Sequence, residues 1–391
     1  MAGANLATPL YAVYARHFHF SSLVLTAIFA TYAFVLVPAL VLFGRLSDRF
    51  GRRPVILAGL AAAVAALVLF ALAGGTAWLF GARALQGLAV GMIGGAATAA
   101  LVELDPRGDR RRAALFAGLA QAGGSAIGPL VAGGLAQWAP YPRRLSFVVG
   151  IGATVAGAAA TLTIPESSAD EREPWRLQWP RVPAEIRGRF ALVALTGATV
   201  WAAVALYLSI VPSYAASLLK THDLALLAAI SAIALLASCG SQVLSQRREG
   251  NRRRDQLAGL VVLALGLFGL VLAAPLHSLA LLVVGAVLTG AGHGVGFLDA
   301  QQELNEIAPD DRRGEVTAAF ISAIYLLVAT SVIATGLLAL RFSLETSVGV
   351  VAVALVATAL ATAAWQARVA VGARRGGARR PLRRPARSVS E

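Results

Sequence analysis

Along this chain, long apolar runs alternate with short polar turns rich in arginine and glycine. Eleven runs have the length of a membrane-crossing helix, about 20 residues each. They cover 24–43, 54–73, 78–103, 113–136, 145–164, 190–213, 224–245, 256–274, 279–304, 316–340 and 344–367. A shorter apolar piece, 1–15, precedes them and brings the number to twelve. The longest polar interruption carries Pro165, Pro174, Pro180 and Pro183 and divides the runs into two sets of six. The pattern predicts an all-α integral membrane protein. Its first half is 1–164, its cytoplasmic linker 165–189 and its second half 190–367, followed by an arginine-rich tail over 368–391 that is expected to be disordered.

Composition narrows the class. Hydrophobic residues make up 58% of the 391 and charged residues 14%, against roughly 25% charge in a soluble domain. The net charge of +14 is spread over short turns between apolar runs, so no nucleic-acid partner is expected. Twenty-eight of the 34 basic residues fall on alternate turns and the tail, five fall on the opposite side, and Arg83 alone interrupts an apolar run. The positive-inside rule makes the arginine-rich side cytoplasmic, and the C-terminus with it. Trp78, Trp138 and Tyr141 fall at the outer helix ends, as an interfacial aromatic belt would. Cys239 is the single cysteine and Lys220 the single lysine, preceded by Ser-Leu-Leu. These exclude a disulfide framework, a cysteine metal site and a phosphate-binding Walker loop. No cofactor, metal or enzymatic activity is expected, and an ATP-driven pump would need a separate motor subunit.

The halves are related. A shift of 203 residues lays Pro9 and Tyr11 on Pro212 and Tyr214, Gly87 and Gly91 on Gly290 and Gly294, Glu103 and Pro106 on Glu306 and Pro309, and Arg110 on Arg313. The same register sets Met1 opposite Val204, inside a run that starts near Phe190. Residues 1–15 would rise only about 22 Å as a helix against a core of roughly 30 Å. An in-frame apolar stretch of about 14 residues is therefore expected upstream of Met1; a stop codon directly before Met1 would refute it.

The turn at 44–53 reads Gly-Arg-Leu-Ser-Asp-Arg-Phe-Gly-Arg-Arg. Gly44, Asp48, Arg49, Gly51, Arg52 and Arg53 occupy, in order, the positions of Gly-x-x-x-Asp-Arg-x-Gly-Arg-Arg, the loop signature of the major facilitator superfamily of secondary transporters, which the chain resembles over essentially its whole length. Asp48 is expected where an acid meets the positive end of the next helix. In the fourth run, Arg83, Gln86 and Gly87 resemble the family's Arg-x-x-x-Gly motif, which makes Arg83 a candidate for proton coupling; a structurally hydrogen-bonded, snorkelling arginine is the other reading. In the fifth run, Gly124, Gly128, Pro129, Gly133 and Gly134 resemble the Gly-x-x-x-Gly-Pro-x-x-x-Gly-Gly motif of drug and metabolite proton antiporters. Those glycines permit close helix approach, and Pro129 removes a helix hydrogen bond. The resemblance implies two six-helix halves related by a pseudo-two-fold axis along the membrane normal, with the first helix truncated here. The second-half copy of the loop, Ser-Gln-Arg-Arg-Glu-Gly-Asn-Arg-Arg-Arg, lacks the aspartate.

Polar and aromatic residues inside the runs are candidates for a substrate or proton path: Asn5, Tyr11, Tyr32, Gln121, Trp201, Tyr207, His293, Asp299 and Tyr325. The set is aromatic and nearly uncharged, which suits a weakly polar or amphipathic small molecule. Asp299 is read either as a proton carrier or as a partner of a loop arginine, and His293 as a titrating group or an interhelical hydrogen bonder. Glu103 and Glu306 are read as members of a gating ion-pair network with the loop arginines. The resulting expectation is a monomeric plasma-membrane exporter coupled to protons. A small-solute importer and an inactive membrane scaffold are the alternatives.

Overall fold

The computed structural model describes residues 1–105, 107, 110–166, 181–246, 252–309 and 312–377. Most of the linker, the second-half copy of the signature loop up to Asn251, and the last part of the tail lie outside the described residues. All regular structure among the described residues is helical. Eleven helices are long and apolar enough to cross a membrane. They fall on the eleven runs expected from hydropathy.

In the first half these are α3 (Ser22–Phe50), α4 (Arg52–Ala71), α5 (Thr76–Glu103), α6 (Arg110–Trp138) and α7 (Leu145–Leu162). In the second half they are α8 (Arg187–Ser209), α10 (Leu224–Gln246), α11 (Arg252–Ala273), α12 (Leu279–Ile307), α13 (Arg313–Leu338) and α14 (Leu344–Gly377). Residues 1–18 form not one helix but α1 (Ala2–Asn5), a 3₁₀ turn (Thr8–Leu10) and α2 (Tyr11–Phe18). The break coincides with Pro9, whose ring removes a backbone donor. The second half breaks at the matching proline: α8 ends at Ser209, and α9 (Val211–Leu219) starts with Pro212 in its first turn. The apolar run 190–213 is thus two helices. His19 and Lys220, both left-handed, cap α2 and α9.

The tail differs from expectation. Residues 368–377 continue α14 as helix; alanine and arginine are good helix formers, and arginines suit the negative helix end.

Each half packs its own helices, with α5 between α3 and α4 and α12 between α10 and α11. The repeat is visible in close contacts. A methyl group added at Gly87 would fall on the carbonyl oxygen of Tyr32 in α3, and one added at Gly290 on that of Ala234 in α10. Tyr14 donates to the carbonyl of Phe70 at 3.0 Å and Tyr214 to that of Leu270 at 3.3 Å. By that role Tyr214 pairs with Tyr14, not with Tyr11 as the uniform shift suggests. The halves meet along two seams, α3 on α13 and α6 on α10. Trp138, at the end of α6, and Tyr141, in the turn that follows it, are 78% and 73% exposed.

Candidate functional site

In the first half, Arg83 is a charged residue in the N-terminal third of α5 and only 2% exposed. Its Nη1 donates to the Ala4 carbonyl at 3.1 Å and to Gln86 Oε1 at 2.9 Å. Gln86 Nε2 donates to the Gly3 carbonyl at 3.0 Å. The i, i+3 spacing puts Arg83 and Gln86 on one face of α5, where α1 supplies both carbonyls. The rings of Phe29, Tyr32 and Tyr11 stand 4.6, 4.9 and 5.9 Å from the Arg83 guanidinium carbon, within cation–π range. Tyr32 meets Tyr325 of α13 edge to face at 6.0 Å, so this cage ends on the seam between the halves.

The fifth-run glycines explain how α1 is held. Gly124 faces Met1 and Ala2, and a methyl added to it would stand 2.9 Å from Met1 Cβ; at Gly128 the methyl would fall on the Ala2 carbonyl oxygen. Asn5 Nδ2 donates to Ser125 Oγ at 3.1 Å on the same face. Gly133 instead lies against Ala228 and the Leu224 carbonyl of α10, in the other half. Pro129 lies within the helix, and Gly134 touches only Trp138 of its own helix. The motif is therefore divided: Gly124 and Gly128 seat the segment that holds Arg83 and Gln86, and Gly133 packs the seam.

A second polar cluster lies in the second half. His293 of α12 is fully buried; its Nδ1 is 2.8 Å from Ser238 Oγ of α10, and Gln242 Nε2 donates to the same hydroxyl at 3.1 Å. Trp201 meets His293 edge-on at 4.7 Å, and Phe297 stacks on His293 at 5.7 Å. Tyr207 is buried near the C-terminal end of α8, Asp299 is buried in the C-terminal third of α12, and Gln121 is half-buried in α6. The path candidates thus form two groups, Asn5–Tyr11–Tyr32–Tyr325 around Arg83 and Trp201 around His293, with Tyr207, Asp299 and Gln121 outside both.

At the arginine-rich end, Asp48 lies in the last turn of α3 rather than at the start of α4, and its side chain is outside the described residues. Among the described side chains, Glu166 brings an acid to the positive end of α4, its Oε1 accepting from the Arg53 backbone N–H at 3.3 Å. Gly51 takes φ +93° between α3 and α4, a left-handed value that glycine adopts without strain. Arg52 bonds Glu103 at 2.9 Å and donates to Ser47 Oγ at 2.8 Å. Arg49 is exposed. The second half carries buried amides beside an ion pair: Gln366 Nε2 donates to Thr196 Oγ1 and to Gln256 Oε1, both at 2.8 Å. Gln256 Nε2 donates to Glu303 Oε2 at 3.0 Å, and Glu303 bonds Arg189 at 3.2 Å. Sequence reasoning passes over Phe29, Ser125, Ser238, Gln256 and Gln366. A glutamine inside an apolar run is the signal for two of them.

The profile of the Major Facilitator Superfamily matches residues 1–297. Among solved structures, that of a D-xylose–proton symporter superposes with a TM-score of 0.73, covering 92% of this chain and 92% of that one at 16% identity. The nucleoside transporter NupG superposes with a TM-score of 0.70, covering 94% and 96% at 13% identity. At such identities the likeness is one of fold. No curated protein matches the chain in sequence.

Proposed function

The chain belongs to the major facilitator superfamily, and from that premise we propose that it is a secondary active transporter that exports a drug-like or hydrophobic metabolite in exchange for protons. The α6 string from Gly124 to Gly134 carries the export reading, through its resemblance to the antiporter motif. Two halves that touch along α3/α13 and α6/α10, with buried polar clusters beside the seams, suit alternating access by rocking of one half against the other. We assign it to the plasma membrane as a monomer with the tail in the cytoplasm, from the arginine distribution. Import is the second reading, favoured by the likeness to a D-xylose–proton symporter.

Reconstitution decides between them. In proteoliposomes under an imposed pH gradient, a panel of amphipathic dyes and metabolites is expected to move opposite to protons. Movement with protons would establish the importer. Absence of gradient-driven movement for the whole panel, with the protein correctly inserted, would overturn transport.

The Arg52–Glu103 pair is the described part of a cytoplasmic latch. Glu103→Gln is expected to slow transport per inserted molecule about fivefold while leaving insertion unchanged, because a partly exposed pair contributes up to about 1 kcal/mol. Rates normalised to immunodetected protein check this.

A further inference from the structure

We infer that Arg83 and Tyr11 form an anion site, and that the ligand it takes is a small organic monoanion, a carboxylate carried on an apolar or aromatic body. The inference rests on the transporter reading and adds a substrate class to it. A guanidinium does not neutralise by losing its proton as a buried lysine does, so Arg83 carries its charge at 2% exposure. Arg52 pairs with Glu103 and Arg189 with Glu303, and among the described residues no carboxylate pairs with Arg83. Every acid of the first half, Asp48, Glu103, Asp105 and Asp109, falls toward the cytoplasmic end of the chain's turns, away from the outer third where Arg83 lies.

What holds Arg83 is neutral: one carbonyl, one amide oxygen and three ring faces. Two donors are left over. Arg83 Nε and the Tyr11 hydroxyl are both buried without a hydrogen-bond partner, and the Tyr11 ring lies 5.9 Å from the guanidinium carbon. A charge-assisted acceptor is the group that completes such a set. One cation and two donors match one negative charge; a phosphate dianion would remain half-neutralised. Phe29, Tyr32 and Tyr325 supply the apolar wall, and the Tyr32–Tyr325 contact, both residues half-buried, is the side on which a ligand between the halves would enter.

The full chain in lipid nanodiscs tests this with benzoate and its neutral counterpart benzamide, read by thermal unfolding and by titration. Benzoate is expected to raise the unfolding midpoint saturably and benzamide to leave it in place. Arg83→Gln should abolish the benzoate response. Arg83→Lys, which keeps the charge but loses the planar fork, should weaken it on the order of tenfold. Should Arg83→Gln fail to assemble, Tyr11→Phe serves, with benzoate affinity expected to fall several-fold. No benzoate response, an equal response to benzamide, an unchanged response in Arg83→Gln, or unchanged affinity in Tyr11→Phe would overturn the site. Loss of the benzoate response alongside intact proton-driven movement of neutral solutes would remove the anion site alone. Benzoate binding with no transport of any solute would remove the transporter reading alone.

Discussion

Replacing Gly290 with alanine, a change of one methyl group, is expected to remove most of the folded protein from the membrane. The added methyl would fall on the carbonyl oxygen of Ala234, and main chain cannot rotate aside as a side chain can. Overpacking an ordinary core costs about 1–3 kcal/mol, and here either α12 or α10 must move as a body. Helix association in lipid depends on close van der Waals approach through small residues, so the substitution strikes at the packing that holds the second half together. Gly157→Ala is the control, since nothing lies within 4 Å of its added methyl. Size-exclusion profiles of the detergent-extracted proteins should show Gly290→Ala depleted and Gly157→Ala normal. Equal monodisperse yields would mean that α10 and α12 adjust freely.

Gly128→Leu is expected to abolish turnover while the protein still inserts. The leucine would displace α1, because the first atom of its side chain already meets the Ala2 carbonyl oxygen. With α1 go the carbonyls of Gly3 and Ala4, to which Gln86 and Arg83 donate. A hydrogen bond to a charged group contributes about 1.5–3 kcal/mol, which corresponds to a drop on the order of ten- to a hundredfold in any step that needs Arg83 in place. Inserted protein with less than a tenth of the wild-type rate is the expected result. Wild-type turnover would show that the seat of α1 is dispensable.

The spans are legible in the sequence because water-free surroundings force each crossing segment to satisfy its own backbone, which demands a long apolar run wherever one occurs. Pairings between segments are not legible there. Gly128 reads as a face for close helix approach, and the segment it approaches, α1 of its own half, is not given, because spacing gives the face of a helix but not what lies against it. Glu166, far away in the chain, also brings an acid to the start of α4, and nothing in the local pattern around Asp48 announces it. The half-to-half register is correct for the glycines of α5 and α12 and off by three for the tyrosines of α2 and α9, since the turns at Pro9 and Pro212 differ in length. Arg83 stands out at once as a charge in an apolar run; its aromatic surroundings come from three separate segments and need the fold.

The arginine-rich ends of the two halves are built differently, and electrolyte should therefore act on them unequally. The first half is latched by a formal ion pair, Arg52 with Glu103, whose side chains are 15% and 36% exposed. Mobile counter-ions reach such a pair, and the Debye length shrinks from about 8 Å at physiological strength to about 3 Å at 1 M. The second half sets Gln366, Gln256 and Thr196, which are 2%, 1% and 0% exposed, behind its own ion pair, Arg189 with Glu303, whose side chains are 57% and 15% exposed. Raising salt at this end thus weakens the exposed pair of each half and spares the buried amide relay of the second, so ionic strength acts as an unequal lever on a pseudo-symmetric machine.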